Sequence, residues 1–439
     1  MIYHLAFYNR KPRALDSIER MFYNSHMSVD VIQLIPQLRQ MAVRSAEGRK
    51  TRDQQVTRLR RIFAPEFDAS EASALESAIA AVTQLSTVKW AGARFTSNEV
   101  INQFYPTGTE PEDYALIATD GSQIMPDRHK AVQYAAIQAA AAGIVYGHAA
   151  MPDRLPEALA AIKRKPITFK DETQLYDDVG ELVSPGEINT ERDLMEIELL
   201  ATLCETLHAA GLRPIAVADA SIVPFALLNE QFVRNSPRRA AELLERIIGA
   251  LNRMRACKAI VGGYIDRPNS NALTRTCALA DAPIEALTDK RRLSDLLKRS
   301  DQNIRGISDR YLLEPLLQPS MRTALFEPTW LVNGPSYLGQ SGHTMMCCYL
   351  NVGSARPAIV RIEMPEWCSD AISVGSMTKV MERHANMGGG YPLILKAAHE
   401  EAVLSPSDER AIDHMIERGM IEEGILAMPS FKQEAKDKR

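Results

Sequence analysis

The chain has 439 residues, 46% of them apolar and 24% charged, with a formal net charge of −4. That length supports a large core in two or three structural units, and no apolar run approaches the roughly 18–20 residues that span a bilayer. Met1–Arg20 lacks the pattern of a secretory signal, so a cytoplasmic protein with no membrane association is expected.

Six cysteines, Cys204, Cys257, Cys277, Cys347, Cys348 and Cys368, form no CxxC pair. They read as reduced, buried thiols rather than as zinc ligands or disulfides. Charge distribution is more informative than its sum. Arg44–Arg61 carries seven basic residues against two acids, and Lys290–Arg299 carries a second basic cluster. Either could neutralise phosphates, and either could be a solvated helix face.

In chain order, residues 28–62 have helical spacing. Ala69–Ser86 is a second helix with Ser70 as its expected cap, and Asn98–Asp113 is a loop by its breakers. Residues 1–110 therefore read as a helical N-terminal region, 111–420 as an α/β core and 421–439 as a charged tail, frayed from Ser430 onward. Tyr114–Ala118 is a short buried strand expected to end in a polar turn, Asp120-Gly121-Ser122-Gln123. Ala131–His148 is apolar, with a period that suits a strand pair or a helix. Thr190–Ala210 is a helix closed by Gly211, and it leads into a strand at Ile215–Ala218 that ends in Asp219-Ala220-Ser221. Pro237–Cys257 is a helix, and Ala259–Tyr264 and Ile359–Pro365 are strands. Ser376–Asn386, Pro392–Leu404 and Ser405–Arg418 are helices, the last opened by Ser and Pro with acids in its first turn.

Two strands thus end in an aspartate followed by a small residue and a serine. If they are neighbours, their carboxylates converge, and converging carboxylates repel unless a hard divalent cation lies between them. Independent Asx-turns would explain the same pattern. The helix between the strands offers a third acid, and Glu196 and Glu198 lie on different faces of it, so only one can serve. Gly388-Gly389-Gly390-Tyr391 and His399 add a flexible helix entry, a phenol and an imidazole able to ligate or transfer a proton.

Five segments in this order resemble the NurA nuclease family. They are DGSQ at 120–123, DAS at 219–221, IVGGYIDRP at 260–268, RIEMPEW at 361–367 and GYPLILKAAHEEAVLS at 390–405. The resemblance spans about Ala115 to Leu404. It implies an RNase H-like mixed sheet flanked by helices and metal-dependent DNA hydrolysis using Mn²⁺ or Mg²⁺, with two ions expected. It implies also a homodimer that docks on a HerA-type hexameric ATPase in processing DNA ends, in repair or in defence. Carried over by position, Asp120, Glu196, Asp219 and His399 are the expected metal ligands, with Glu198 as the alternative helix acid, and Tyr391 completes the expected catalytic set. One departure is Ala220, where the family usually has Gly. A catalytically weak scaffold that regulates an ATPase is the alternative this departure raises.

Overall fold

Buried strands of a parallel sheet read as continuous apolar runs because both faces are covered, and the central strands here have that character. The computed structural model describes residues 31–84, 90–95, 99–130, 132–147, 155–176, 184–224, 227, 237–280, 290–329 and 341–425. The chain divides into two compact units, Met1–Arg58 and Leu59–Arg439. Within the first, the described element is the helix α1, Val31–Leu59, which carries Arg44, Arg49, Lys50, Arg52 and Arg58 and has Pro36 near its start. The frayed tail expected from Ser430 to Arg439 lies outside the described residues.

In the second unit, eleven strands among the described residues form one mixed sheet. They are β1 (Ala93–Phe95), β2 (Phe104–Pro106), β3 (Tyr114–Ile124), β4 (Ala135–Tyr146), β5 (Ile167–Lys170), β6 (Pro214–Ala218), β7 (Ile260–Ile265), β8 (Met321–Thr323), β9 (Phe326–Pro328), β10 (Met345–Asn351) and β11 (Ile359–Pro365). The helices that follow α1 are α2 (Ala69–Gln84), α3 (Leu155–Ile162), α4 (Pro185–Ala209), α5 (Pro237–Ala256), α6 (Ala272–Leu279), α7 (Lys290–Asn303), α8 (Asp309–Leu313), α9 (Ala371–Met387), α10 (Leu393–Ala402) and α11 (Pro406–Glu422).

The sheet order is β1-β9-β10-β11-β7-β6-β3-β4-β5, with β2 and β8 paired beside β10. β3, β4 and β5 form an antiparallel meander, and β6 and β7 then add parallel to β3 through crossovers containing α4 and α5. Three antiparallel strands followed by two parallel ones on the side of the first is the expected RNase H-like arrangement. The core lies where α4 and α5 meet β3, β6 and β7, around Leu116, Ile117, Leu200, Val217 and Val261. All six cysteines are free and buried. No helix among the described residues is long and apolar enough to cross a membrane.

Several expectations are corrected. The apolar stretch expected as a strand pair or a helix holds one long strand, Ala135–Tyr146, because β4 pairs with β3 from Tyr114↔Tyr146 to Ile124↔Ala136. The same ladder carries β3 straight through Asp120–Gln123, so no turn follows Ala118. The expected loop 98–113 contains β2, and with β1 it joins the sheet, so the region before residue 111 is not helical throughout. Asp68, not Ser70, caps α2, its Oδ1 accepting from the Ser70 and Glu71 amides at 2.8 and 2.9 Å. α4 starts earlier than expected, at Pro185, where Ser184 and Glu187 form a reciprocal capping box worth about 1 kcal/mol.

One packing feature gives the fold a pH dependence. His384 on α9 is fully buried, its Nε2 lying 2.9 Å from the Tyr146 hydroxyl. Burial, reinforced by the neighbouring Arg383 guanidinium, lowers its pKa to about 4. A histidine lowered below its ordinary 6.5 in the fold gives stability that is present above 6.5 and lost as pH falls toward 4. We expect the melting temperature to drop across that window and the drop to shrink in His384→Gln. An equal drop in the variant would remove His384 as its source.

Candidate active site

Pairing of β3 with β6 ends at Thr119 opposite Ala218. The next residue on each strand is an aspartate, so Asp120 and Asp219 stand level at the C-terminal end of β6. That rim of a parallel sheet is where functional groups gather. Two strand-end aspartates in unrelated turns are thereby excluded.

Each residue of Asp120–Gln123 has a separate job. The Asp120 Oδ2 is 2.7 Å from the Nδ1 of His399, which lies on α10 with its side chain 63% exposed. Gly121 clears space, since a Cβ there would lie 2.6 Å from Arg192 Cγ and collide with Glu196 Oε1. Ser122 Oγ accepts from the Leu404 amide at 3.1 Å, and Gln138 on β4 donates to the Ala402 carbonyl at 3.1 Å. Those two bonds hold the end of α10, and with it His399, against β3 and β4. Gln123 accepts from Arg192 at 3.2 Å and donates to Asn189 at 3.1 Å, fixing the start of α4.

The two candidate acids on α4 pack differently. Glu196 is 6% exposed and directed at the site, whereas Glu198 takes a double hydrogen bond from Arg246 on α5 at 2.9 and 2.8 Å. Burial pushes the Glu196 carboxyl well above the ordinary range. Arg192 opposes that shift, and the negative charges of Asp193, Asp120 and Asp219 add to it. Asp219 is raised too, by burial first, against a hydrogen bond from Tyr391, with Asp120 and Asp266 repelling and His399 attracting. Tyr391 sits between α9 and α10, where Gly389 and Gly390 adopt φ of 75° and 114°, values only glycine takes readily. Its ring meets Tyr264 edge-on at 5.7 Å.

Ala220 keeps out of the positive-φ region, so alanine is compatible with the turn after Asp219. The space it needs comes from Gly263 on β7, where a Cβ would lie 2.5 Å from the Ala220 carbonyl oxygen. The turn is pinned further by Ser221, which donates to the fully buried Glu363 at 2.6 Å, and Glu363 is itself held by Arg361 at 2.5 Å.

The structure therefore brings Asp120, Glu196, Asp219, Tyr391 and His399 to one end of the sheet. Sequence reasoning gave Arg192 no role of its own and did not single out Asp193. Arg192 bonds Asp193 at 2.7 Å, and its Nε lies 3.1 Å from Glu196 Oε1 without alignment for a hydrogen bond. The i,i+4 spacing of Arg192 and Glu196 was the available signal. Of the basic clusters, Arg60 donates to the Leu312 and Tyr311 carbonyls and Arg61 pairs with Glu71, so part of that charge is structural.

In kind, the donor set suits a hard divalent cation, with three carboxylates, an imidazole and one buried carboxylate oxygen, Glu196 Oε1, that accepts no hydrogen bond. Among the described residues no group of three His, Cys, Asp or Glu side chains stands close enough together to hold a metal ion. Each acid instead has a partner of its own: Asp120 is held by His399, Asp219 by Tyr391, and Glu196 lies beside Arg192.

The family described as the NurA domain matches residues 114–404. A solved NurA nuclease from Sulfolobus solfataricus is 11% identical, with 73% of this chain and 88% of that chain covered at a TM-score of 0.44. A structure of NurA with manganese is 12% identical, covering 81% and 98% at a TM-score of 0.33. No curated protein sequence matches.

Proposed function

Because the chain belongs to the NurA domain family, we propose that it is a divalent-metal-dependent DNA nuclease, hydrolysing phosphodiester bonds in DNA end processing. The observation that carries the reading is the level placement of Asp120 and Asp219 on parallel strands, with the buried Glu196 coupled electrostatically to both. Like charges held together and partly desolvated are costly without a cation, and a site that persists in that state is built to receive one.

Asp120, Glu196, Asp219 and His399 are the proposed ligands. They would hold Mn²⁺ or Mg²⁺, which would supply Lewis-acid activation of water and an offset to the negative charge that builds on the phosphate. The remaining chemistry belongs to the chain. Tyr391 donates to Asp219 and holds its carboxylate in one orientation. His399, exposed and tied to Asp120 through Nδ1, has Nε2 left for one of two roles, ligating the metal or, unligated, passing a proton to a departing oxygen. Arg192 limits the charge accumulated at Glu196. Within this reading the partner is a HerA-type hexameric ATPase and the working form a homodimer, both resting on the family resemblance.

Cleavage of single- and double-stranded DNA by the full chain, followed in Mn²⁺, Mg²⁺ and EDTA, tests the proposal. Chelation should abolish cleavage and added metal should restore it, with Mn²⁺ also raising the melting temperature. Glu198→Gln should leave cleavage unchanged and alter stability by less than about 1 kcal/mol, as a half-exposed ion pair does. Cleavage that survives EDTA, or none with any metal, overturns the reading. Preference for RNA would reassign the substrate.

A further inference from the structure

Beyond the acids lies a cleft of about 570 Å³ that the proposed chemistry does not use. Three arginines from separate parts of the chain line it. Arg267 follows the end of β7, Arg310 lies on α8, and Arg356 is in the loop between β10 and β11. Arg310 Nε is buried without a hydrogen-bond partner, and neither Arg310 nor Arg356 has an ion-pair partner among the described residues. Arg267 is 76% exposed, only loosely paired with Asp266 at 3.9 Å, and held at φ 45°, a conformation unfavourable for a residue with a side chain. Guanidinium groups without an acidic partner in a concave site suit an anionic ligand.

Tyr391 belongs to both places. It lines the cleft and hydrogen-bonds Asp219, whose carboxyl also feels the charge of Asp266 on the cleft wall. A molecule in the cleft therefore reaches the acids past Tyr391. Asp266 and Glu314 share the lining, so a compact, multiply charged anion such as free phosphate is disfavoured. A chain of singly charged phosphodiesters, with bases able to lie on the Tyr391 ring, matches the spread of charge and the volume.

The geometry points to this cleft as the subsite that holds the nucleic-acid strand flanking the bond to be cut, with Arg310 and Arg356 contacting its phosphates. The inference rests on the nuclease reading for its substrate class. It is tested without catalysis, by anisotropy of a labelled single-stranded oligonucleotide bound to the full chain in EDTA. In Arg310→Gln/Arg356→Gln the dissociation constant should rise at least fivefold at low salt. The dependence of log K on log salt should flatten by about 0.7 for each phosphate that is no longer neutralised. Arg356→Lys should recover most of the affinity lost in Arg356→Gln, and Arg418→Gln, whose guanidinium is engaged by Glu422, should bind like the parent. If melting curves show the double variant unfolded, the exposed Arg356→Gln alone carries the comparison. A double variant, or that single variant, within twofold of the parent overturns the subsite, as does a parent chain that binds no oligonucleotide. A chain that binds through these arginines but cuts nothing keeps the cleft and loses the nuclease assignment. One that cuts in Mn²⁺ with the double variant unaffected in binding does the reverse.

Discussion

Asp120→Asn is expected to lower DNA cleavage by ~10³-fold or more, about 4 kcal/mol of transition-state stabilisation, while leaving the metal-free protein as stable as the parent or more so. The two effects share one cause. Asp120 stands level with Asp219, and its charge helps to raise the carboxyls of both Asp219 and Glu196. Removing that charge relieves repulsion in the absence of a cation, and removes a ligand in its presence. Asparagine keeps an oxygen able to accept from His399 Nδ1, so the tie to α10 is retained. Melting curves with and without Mn²⁺ separate this outcome from ordinary damage to the fold. The metal-induced rise in melting temperature should shrink, and the metal-free value should not fall. A variant that cleaves at the parent rate would falsify the assignment of Asp120, and a large loss of metal-free stability would make its role structural.

Gly121→Ala is expected to reduce cleavage by about 100-fold, near 2.7 kcal/mol, through a residue that carries no functional group. The residue lies within a continuous strand, opposite Ala139, so alanine is acceptable to the backbone there. The obstacle is space. A new Cβ would press on Arg192 Cγ at 2.6 Å and on the carboxylate oxygen of Glu196. Both are side-chain atoms able to swing aside, so the cost in stability should stay within about 1–3 kcal/mol of overpacking. The displaced group is nevertheless the buried acid of the site, which is why activity should suffer more than stability. Gly249→Ala on α5, where a Cβ meets open space, serves as the reference and should stabilise by about 1 kcal/mol. Full activity in Gly121→Ala would mean that Glu196 does not need its present position.

These two substitutions probe different layers of information in the chain. Asp120 and Asp219 were legible in the sequence, because each follows a short apolar run and precedes a small residue, and such runs form buried strands whatever surrounds them. The same local logic located α4, α5, α9, α10 and α11 to within a few residues. Capping and first-turn charges act over four or five positions, and Ser405 with Asp408 realises the expected start of α11. The order of the motifs likewise carried the family.

What local logic missed was decided by partners distant in the chain. Gly121 looked like a turn residue, yet pairing with β4 from Tyr114 to Ile124 keeps β3 extended, and the glycine instead admits a side chain from α4. Helical periodicity separated Glu196 from Glu198 onto different faces. It could not say which face meets the sheet, because that depends on α5 supplying Arg246 to one side and β3 receiving the other. Arg310 and Arg356 fall in unremarkable stretches, and only the return of the chain through α8 and the β10–β11 loop sets them along one cleft with Tyr391. Composition, periodicity and caps act along the chain, so the sequence by itself determined the elements and the two aspartates. Clearance, charge coupling and shared walls arise between elements, so the third acid, the role of the glycine and the cleft were decided by tertiary packing.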